Sequence, residues 1–251
     1  MSDPLLMRYM QPLLAGRRAE CFELVGRAID AGSPAEQLLC NVIWPAMGQI
    51  DRLFREDVIN HAAQNMAARI NRTVADQLQR HLPKRDPNGK RIVIACADDV
   101  NEEAGAQTVA DLFQADGWEV YFLGIGVPHD EVLEIIGKLR PNILLLFGTR
   151  PDAVPDTRRL VEWVREVNTC PSMNIIVSGG VFNRADGLWQ EVGADVFAST
   201  ATDLLRTANR LGPRVASARR VGVVKKRNRR RKPNDTTETI AIPKEPVAAM
   251  S

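Results

Sequence analysis

Arg91-Ile92-Val93-Ile94-Ala95-Cys96-Ala97, Asp98-Asp99-Val100-Asn101-Glu102-Glu103-Ala104-Gly105 and Ala106-Gln107-Thr108-Val109-Ala110-Asp111-Leu112-Phe113 follow one another without a break. The first segment is apolar and β-branched, the second acidic and polar, and the third has its apolar residues at helical spacing. Strand, loop and helix in that order make a βα unit. In an open α/β sheet, ligands bind in the crevice outside the carboxyl end of such a strand. The loop supplies carboxylates and an amide but no histidine.

Working outward, the same alternation repeats toward the C-terminus. Strand-like runs fall at 91–97, 118–123, 142–147, 174–178 and 195–198, with helix-like stretches at 105–116, 129–140, 155–169, 184–192 and 201–211 between and after them. Strands alternating with helices imply parallel pairing through right-handed crossovers, hence a five-stranded doubly wound sheet.

Toward the N-terminus the period is helical throughout. Leu5, Leu6, Tyr9, Met10 and Leu13 form one apolar stripe, and Cys21, Phe22, Leu24, Val25 and Ile29 form the next. Ser33-Pro34-Ala35-Glu36 reads as a helix start, with Ser33 at the N-cap, Pro34 in the first helical position and Glu36 completing a capping box. Pro45 should kink or restart the helix that follows. A last helix spans about 58–82. The pattern describes a helical-bundle cap over 1–82, a Pro/Gly-punctuated linker over 83–90, a flavodoxin-like domain over 91–212 and a disordered basic tail over 213–251.

The net charge of +2 conceals an asymmetry. Residues 1–213 hold 22 Lys/Arg against 28 Asp/Glu, a net −6, whereas 214–232 hold ten basic residues and no acid. The folded body is therefore mildly acidic, and affinity for a polyanion such as nucleic acid is assigned to Arg219, Arg220, Lys225, Lys226, Arg227, Arg229, Arg230, Arg231 and Lys232. No run approaches the roughly 20 apolar residues that span a bilayer, and the N-terminus lacks the pattern of a secretory signal, so a cytoplasmic protein with no membrane partner is expected. Four scattered cysteines without a C-x-x-C pair read as structural thiols of a reducing compartment.

Asp98, Asp99, Glu102 and Glu103 form either a divalent-cation site or a solvated acidic turn; without a further ligand at helical spacing the turn is the simpler account. Of the three histidines, His61 shares a helix face with Asn65 one turn on. His129 sits at a helix start where exposure is expected, and His81 ends a helix, where an imidazolium complements the dipole.

A helical bundle followed by a five-stranded flavodoxin-like domain resembles the cobalamin-binding module of methionine synthase, corrinoid methyl carriers and light-sensing regulators. In that family the first loop carries D-x-H-x-x-G, whose His is the lower axial ligand of cobalt. Gly105 and the helix after it match, placing Val100 at the Asp position and Glu102 at the His position. Gly117-Trp118-Glu119-Val120-Tyr121-Phe122-Leu123-Gly124 is similar to the family's second strand. Ser178-Gly179-Gly180 resembles the paired glycines beside the nucleotide tail, and Gly193-Ala194-Asp195 the G-A-D segment before the last helix. In the cap, Ile50-Asp51-Arg52-Leu53-Phe54 is similar to the family's I-G-x-L-(W/F) turn, and Gln64-Asn65 stands where the light-sensing branch has Glu-His. The family often has Ser near Phe147 and Ser/Thr near Thr149, and only Thr149 fits.

The resemblance implies cobalamin as cofactor, held between the Phe54/Gln64/Asn65 face and the Glu102/Gly105 edge, with the nucleotide tail toward Thr149, Gly179 and Gly180. Both family imidazoles are replaced, by Glu102 and Asn65, so the corrin would keep its own base or a water below cobalt. Neither a catalytic nor a metal-ligating residue is assigned, since no nucleophile–base pair, P-loop or complete metal set is visible. Three readings follow. The leading one is a non-catalytic cobalamin-binding sensor or regulator. The second is a fold that has lost its cofactor and serves as a protein-interaction scaffold with a polyanion-binding tail. The third is a corrinoid methyl-carrier subunit. The partners implied are a small-molecule corrinoid, a partner protein and, through the tail, nucleic acid.

Overall fold

Two periodicities in one chain produce two layers that share a core. The computed structural model describes residues 4–97 and 100–215, with backbone alone over 100–102. Helices α1 (Pro4–Leu14), α2 (Arg18–Asp30), α3 (Ala35–Leu38), α4 (Trp44–Arg55) and α5 (His61–Gln79) form the cap. The α/β part runs β1 (Arg91–Cys96), α6 (Val100–Ala115), β2 (Glu119–Gly124), α7 (His129–Leu139), β3 (Ile143–Phe147), α8 (Val154–Val167), β4 (Asn174–Ser178), α9 (Gly180–Arg184), α10 (Leu188–Glu191), β5 (Val196–Phe197) and α11 (Ala201–Arg210).

The sheet is parallel throughout, in the order β2-β1-β3-β4-β5. That is the flavodoxin-like order, whose topological switch lies between β1 and β3. Strands β3 and β4 are buried along their whole length, which is why they read as unbroken apolar runs. Side chains of alternating parity separate the two faces. Ile92, Ile94, Ile143, Leu145, Phe147 and Ile176 join α6, α11 and the cap in one core, while Val93, Ala95, Leu144, Leu146, Ile175 and Val177 pack with α7 and α8.

Local departures from the sequence reading have local causes. Helix α3 starts with Pro34 at the N-cap, one residue later than expected, so Ser33 is not the cap. Pro45 neither breaks nor visibly kinks the cap helix. The turn ahead of it, Leu39–Ile43, widens to π geometry, and the Trp44 amide bonds back to Leu39. Such a bulge absorbs a residue that has no N–H to donate. The turn is anchored by Asn71, whose amide donates to the Ile43 carbonyl at 3.1 Å and whose oxygen accepts from the Tyr9 hydroxyl at 3.1 Å.

Helix α5 begins at His61 because the Asn60 side chain accepts from the Ala63 amide at 2.9 Å. The single helix expected over 184–192 is two short ones, interrupted where Gly187 adopts a left-handed φ of 79°. The stretch 83–90 lies against the end of α6. Arg85 N–H donates to the Ala115 carbonyl and Asn88 N–H to that of Gly117, whose missing Cβ would meet the Asp86 carbonyl oxygen at 2.2 Å. Residues 211–215 stay on the body: the Asn174 amide donates to the Gly212 carbonyl, and Arg214 pairs with Asp195 at 2.8 Å. The basic residues from Arg219 to Lys232 lie outside the described residues. Among the described residues there is no disulfide and no helix long and apolar enough to cross a membrane.

Candidate functional site

The carboxyl ends of β1, β3 and β4 converge under the cap, at the switch point where this topology opens a crevice. A cavity of about 160 Å3 lies there. The cap contributes Trp44, Met47, Asp51 and Gln64 to its wall; the α/β part contributes Gly105, Phe147, Thr149, Gly179, Gly180 and Asn183. Gln64, Gly105, Thr149, Gly179 and Gly180, all singled out from sequence, are thus brought together. Phe54 and Asn65 are not among the lining residues. Phe54 instead stacks on His61, with ring centroids 4.5 Å apart, and Asn65 is exposed. The side chain of Glu102, like Asp98 and Asp99, lies outside the described residues.

Three ties hold the cap on the sheet around this cavity. Arg184 donates to Asp51 at 3.2 Å and to the Thr149 carbonyl, so one guanidinium links α4, the loop after β3 and α9. Arg72 of α5 reaches Glu103 of α6 at 3.4 Å. Gln79 donates to Asp111 at 2.7 Å, and Gln107 donates to the same oxygen at 3.0 Å. Burial pushes the Asp111 carboxyl up to about 6, against the pull of these two amides.

The glycines show how the floor is built. At Gly105 a Cβ would lie 2.8 Å from Phe147 Cζ, so the ring packs flush on the helix backbone. Phe147 is 4% exposed, and Trp44 meets it edge-on at 5.9 Å and 82°. At Gly179, φ is 106° and a Cβ would meet the Gly148 carbonyl oxygen at 2.2 Å; at Gly180 it would meet Arg184 Nη1 at 2.7 Å. Each of these positions is therefore glycine to admit the protein's own atoms.

Trp44, Asp51 and Phe147 are site residues that sequence reasoning did not assign. Asp51 stood beside the quoted cap turn, and Phe147 stood at the position where the resembled family has Ser. His129 corrects another expectation: it is half-buried, accepted by Asp156 at 2.9 Å and edge-on to Trp163 at 5.9 Å. Among the described residues no group of three His, Cys, Asp or Glu side chains is placed to hold a metal ion.

Comparison with known proteins gives the family. The B12 binding domain is matched by two family models, one over residues 90–208 and one over 5–79. The chain is 24% identical over 196 residues to monomethylamine corrinoid protein 2 of Methanosarcina acetivorans, covering 76% of this chain and 89% of that protein. It is 22% identical to dimethylamine corrinoid protein 1 of Methanosarcina mazei, over 83% of this chain and 96% of that protein. Among solved structures, the monomethylamine corrinoid protein of Methanosarcina barkeri superposes with a TM-score of 0.73 at 19% identity, covering 81% of this chain and 96% of the other, which shows a shared fold.

The family's cofactor does not fit this crevice in full. A cavity near 150 Å3 takes a single benzene-sized ring, and the cavity here is about 160 Å3. The glycine contacts that would cradle a deeper group are already filled by Phe147, Gly148 and Arg184. No imidazole is among the lining residues. A cobalamin with its nucleotide base sunk beneath Gly105 is therefore not accommodated. The cap, the parallel sheet and the two matched segments nonetheless account for most of the chain, which belongs to the cobalamin-binding (B12-binding) domain family, in the form that carries an N-terminal helical cap.

Proposed function

We propose that this chain is a corrinoid carrier subunit, a protein that holds a corrinoid and presents it to a partner enzyme in methyl transfer. The observation that carries this reading is the extent of likeness to methylamine corrinoid proteins, which runs through cap and α/β part alike and covers about nine-tenths of those relatives. The relatives favour this reading, the third of those drawn from sequence, over the sensor or regulator that led them. A carrier needs neither nucleophile nor general base of its own, which suits a crevice lined mainly by apolar side chains, glycines and a few polar groups.

In such a subunit Gln64 and Thr149 would orient the polar rim of the ligand, and Trp44 and Met47 would exclude water from its face. The cofactor, when bound, supplies a metal centre that accepts and releases a methyl group. The protein's part is positioning.

The test is retention of colour. Purified chain mixed with hydroxocobalamin and desalted should elute with the visible corrin band at one equivalent, and a colourless protein refutes the carrier reading. Loading with adenosylcobalamin and illuminating it separates carrier from regulator. A carrier keeps the same oligomeric state by light scattering before and after illumination, and a light-driven change in assembly would restore the regulator.

A further inference from the structure

We infer that this chain takes its corrinoid with the nucleotide base left outside the protein, because Phe147, wedged between Gly105 and Trp44, closes the floor of the crevice. The inference rests on the carrier reading and specifies how the ligand sits.

A planar base with its ribose phosphate enters an α/β crevice only where neighbouring elements leave a slot between helix and strand ends. Here the walls of any such slot would be α6 at Gly105, the end of β3 and the turn after β4. At each wall the space that glycine frees is already used. Phe147 Cζ and Cε1 stand 2.8 and 3.0 Å from where a Gly105 Cβ would be. The Gly148 backbone abuts Gly179, and the Arg184 guanidinium abuts Gly180. Phe147 cannot swing aside cheaply, since it is 4% exposed, shares the core with Leu145 and Ile176, and has the Trp44 ring edge against it at 5.9 Å.

What remains is about 160 Å3, room for one ring and less than a bicyclic base with its sugar. The base has no rival for the metal in this crevice either. The helix-start histidine of the cap, His61, is occupied against Phe54, and no lining residue carries an imidazole. Shape and chemistry agree: the base stays with the corrinoid.

Two measurements on the wild-type full chain test this. In the first, protein uniformly labelled with nitrogen-15 is loaded with unlabelled hydroxocobalamin, reduced to cobalt(II) and examined by electron paramagnetic resonance. A triplet superhyperfine pattern, from the corrinoid's own nitrogen-14 base, is expected. A doublet from a labelled protein nitrogen, or no nitrogen splitting, overturns the inference while leaving the carrier reading intact. In the second, cobinamide, which lacks the nucleotide, should bind within about threefold of cobalamin, since the base makes no buried contact. A preference for cobalamin of more than about tenfold, worth 1.4 kcal/mol, overturns the inference. Retention of neither compound overturns the carrier reading and this inference together.

Discussion

A methyl group placed on Gly105 gives the most direct reading of the closed floor. The position lies inside α6, where alanine is intrinsically preferred over glycine by about 0.5–1 kcal/mol. Against that gain, the new Cβ would sit 2.8 Å from Phe147 Cζ and 3.0 Å from Cε1, several tenths of an ångström inside ordinary contact. Overpacking of that kind in a filled core costs about 1–3 kcal/mol. G105A is therefore expected to lower stability by about 1–2 kcal/mol.

F147L deletes both contacting atoms, at a cost of about 1–2 kcal/mol for the smaller side chain. In that background the methyl meets space, and G105A should now stabilise by up to about 1 kcal/mol. The sign reverses. Urea unfolding of the four proteins, with unchanged m-values, measures the coupling, expected at about 1–3 kcal/mol. Equal effects of G105A in both backgrounds would refute the claim that Phe147 rests on this helix and, with it, the closed floor.

Other expectations follow from the ties around the site. Asp111 has its folded-state carboxyl raised from 3.8 to about 6 by burial, so the native state holds an extra proton in that window. Stability from this group is present below pH about 4 and lost as pH rises through about 6, and D111N, which keeps an oxygen for Gln79 and Gln107, should gain about 1–3 kcal/mol above pH 6 and nothing below pH 4. Parallel pH–stability curves for the two proteins would contradict it.

Asp195 accepts from Ile175 N–H at 2.7 Å, from Arg214 at 2.8 Å and from Arg165. D195A leaves two half-buried guanidinium groups facing one another and should cost about 2–4 kcal/mol in thermal or urea unfolding, against under about 1 kcal/mol for R214A. For the basic stretch 219–232, a chain ended after Ala216 should lose salt-sensitive retention on a polyanion column while its far-UV spectrum keeps the folded signature. Retention that survives the truncation would remove the tail from that role.

The doubly wound sheet was legible in the chain because every parallel strand is buried on both faces and each crossover helix on one. β3, Ile143–Phe147, and β4, Asn174–Ser178, could hardly read as anything but strands. The cap was legible for the same reason, its helices carrying apolar stripes at period 3.6. Boundaries that depend on one backbone group were less so. The widened turn at Leu39–Ile43 and the break at Gly187 each reflect a hydrogen bond or a dihedral that composition does not encode.

The crevice divides along the same line. Gly105, Thr149, Gly179 and Gly180 could be nominated from linear motifs, because each sits at the carboxyl end of a strand or at the helix it feeds. Whether those glycines face a ligand or the protein itself depends on partners distant in the chain: Phe147 for Gly105, Gly148 for Gly179, Asp51 for the arginine beside Gly180. Periodicity is a property of neighbours, so the string of residues carries it whole. The shape of a cavity is set by which side chains arrive from separate elements, and packing alone decides that.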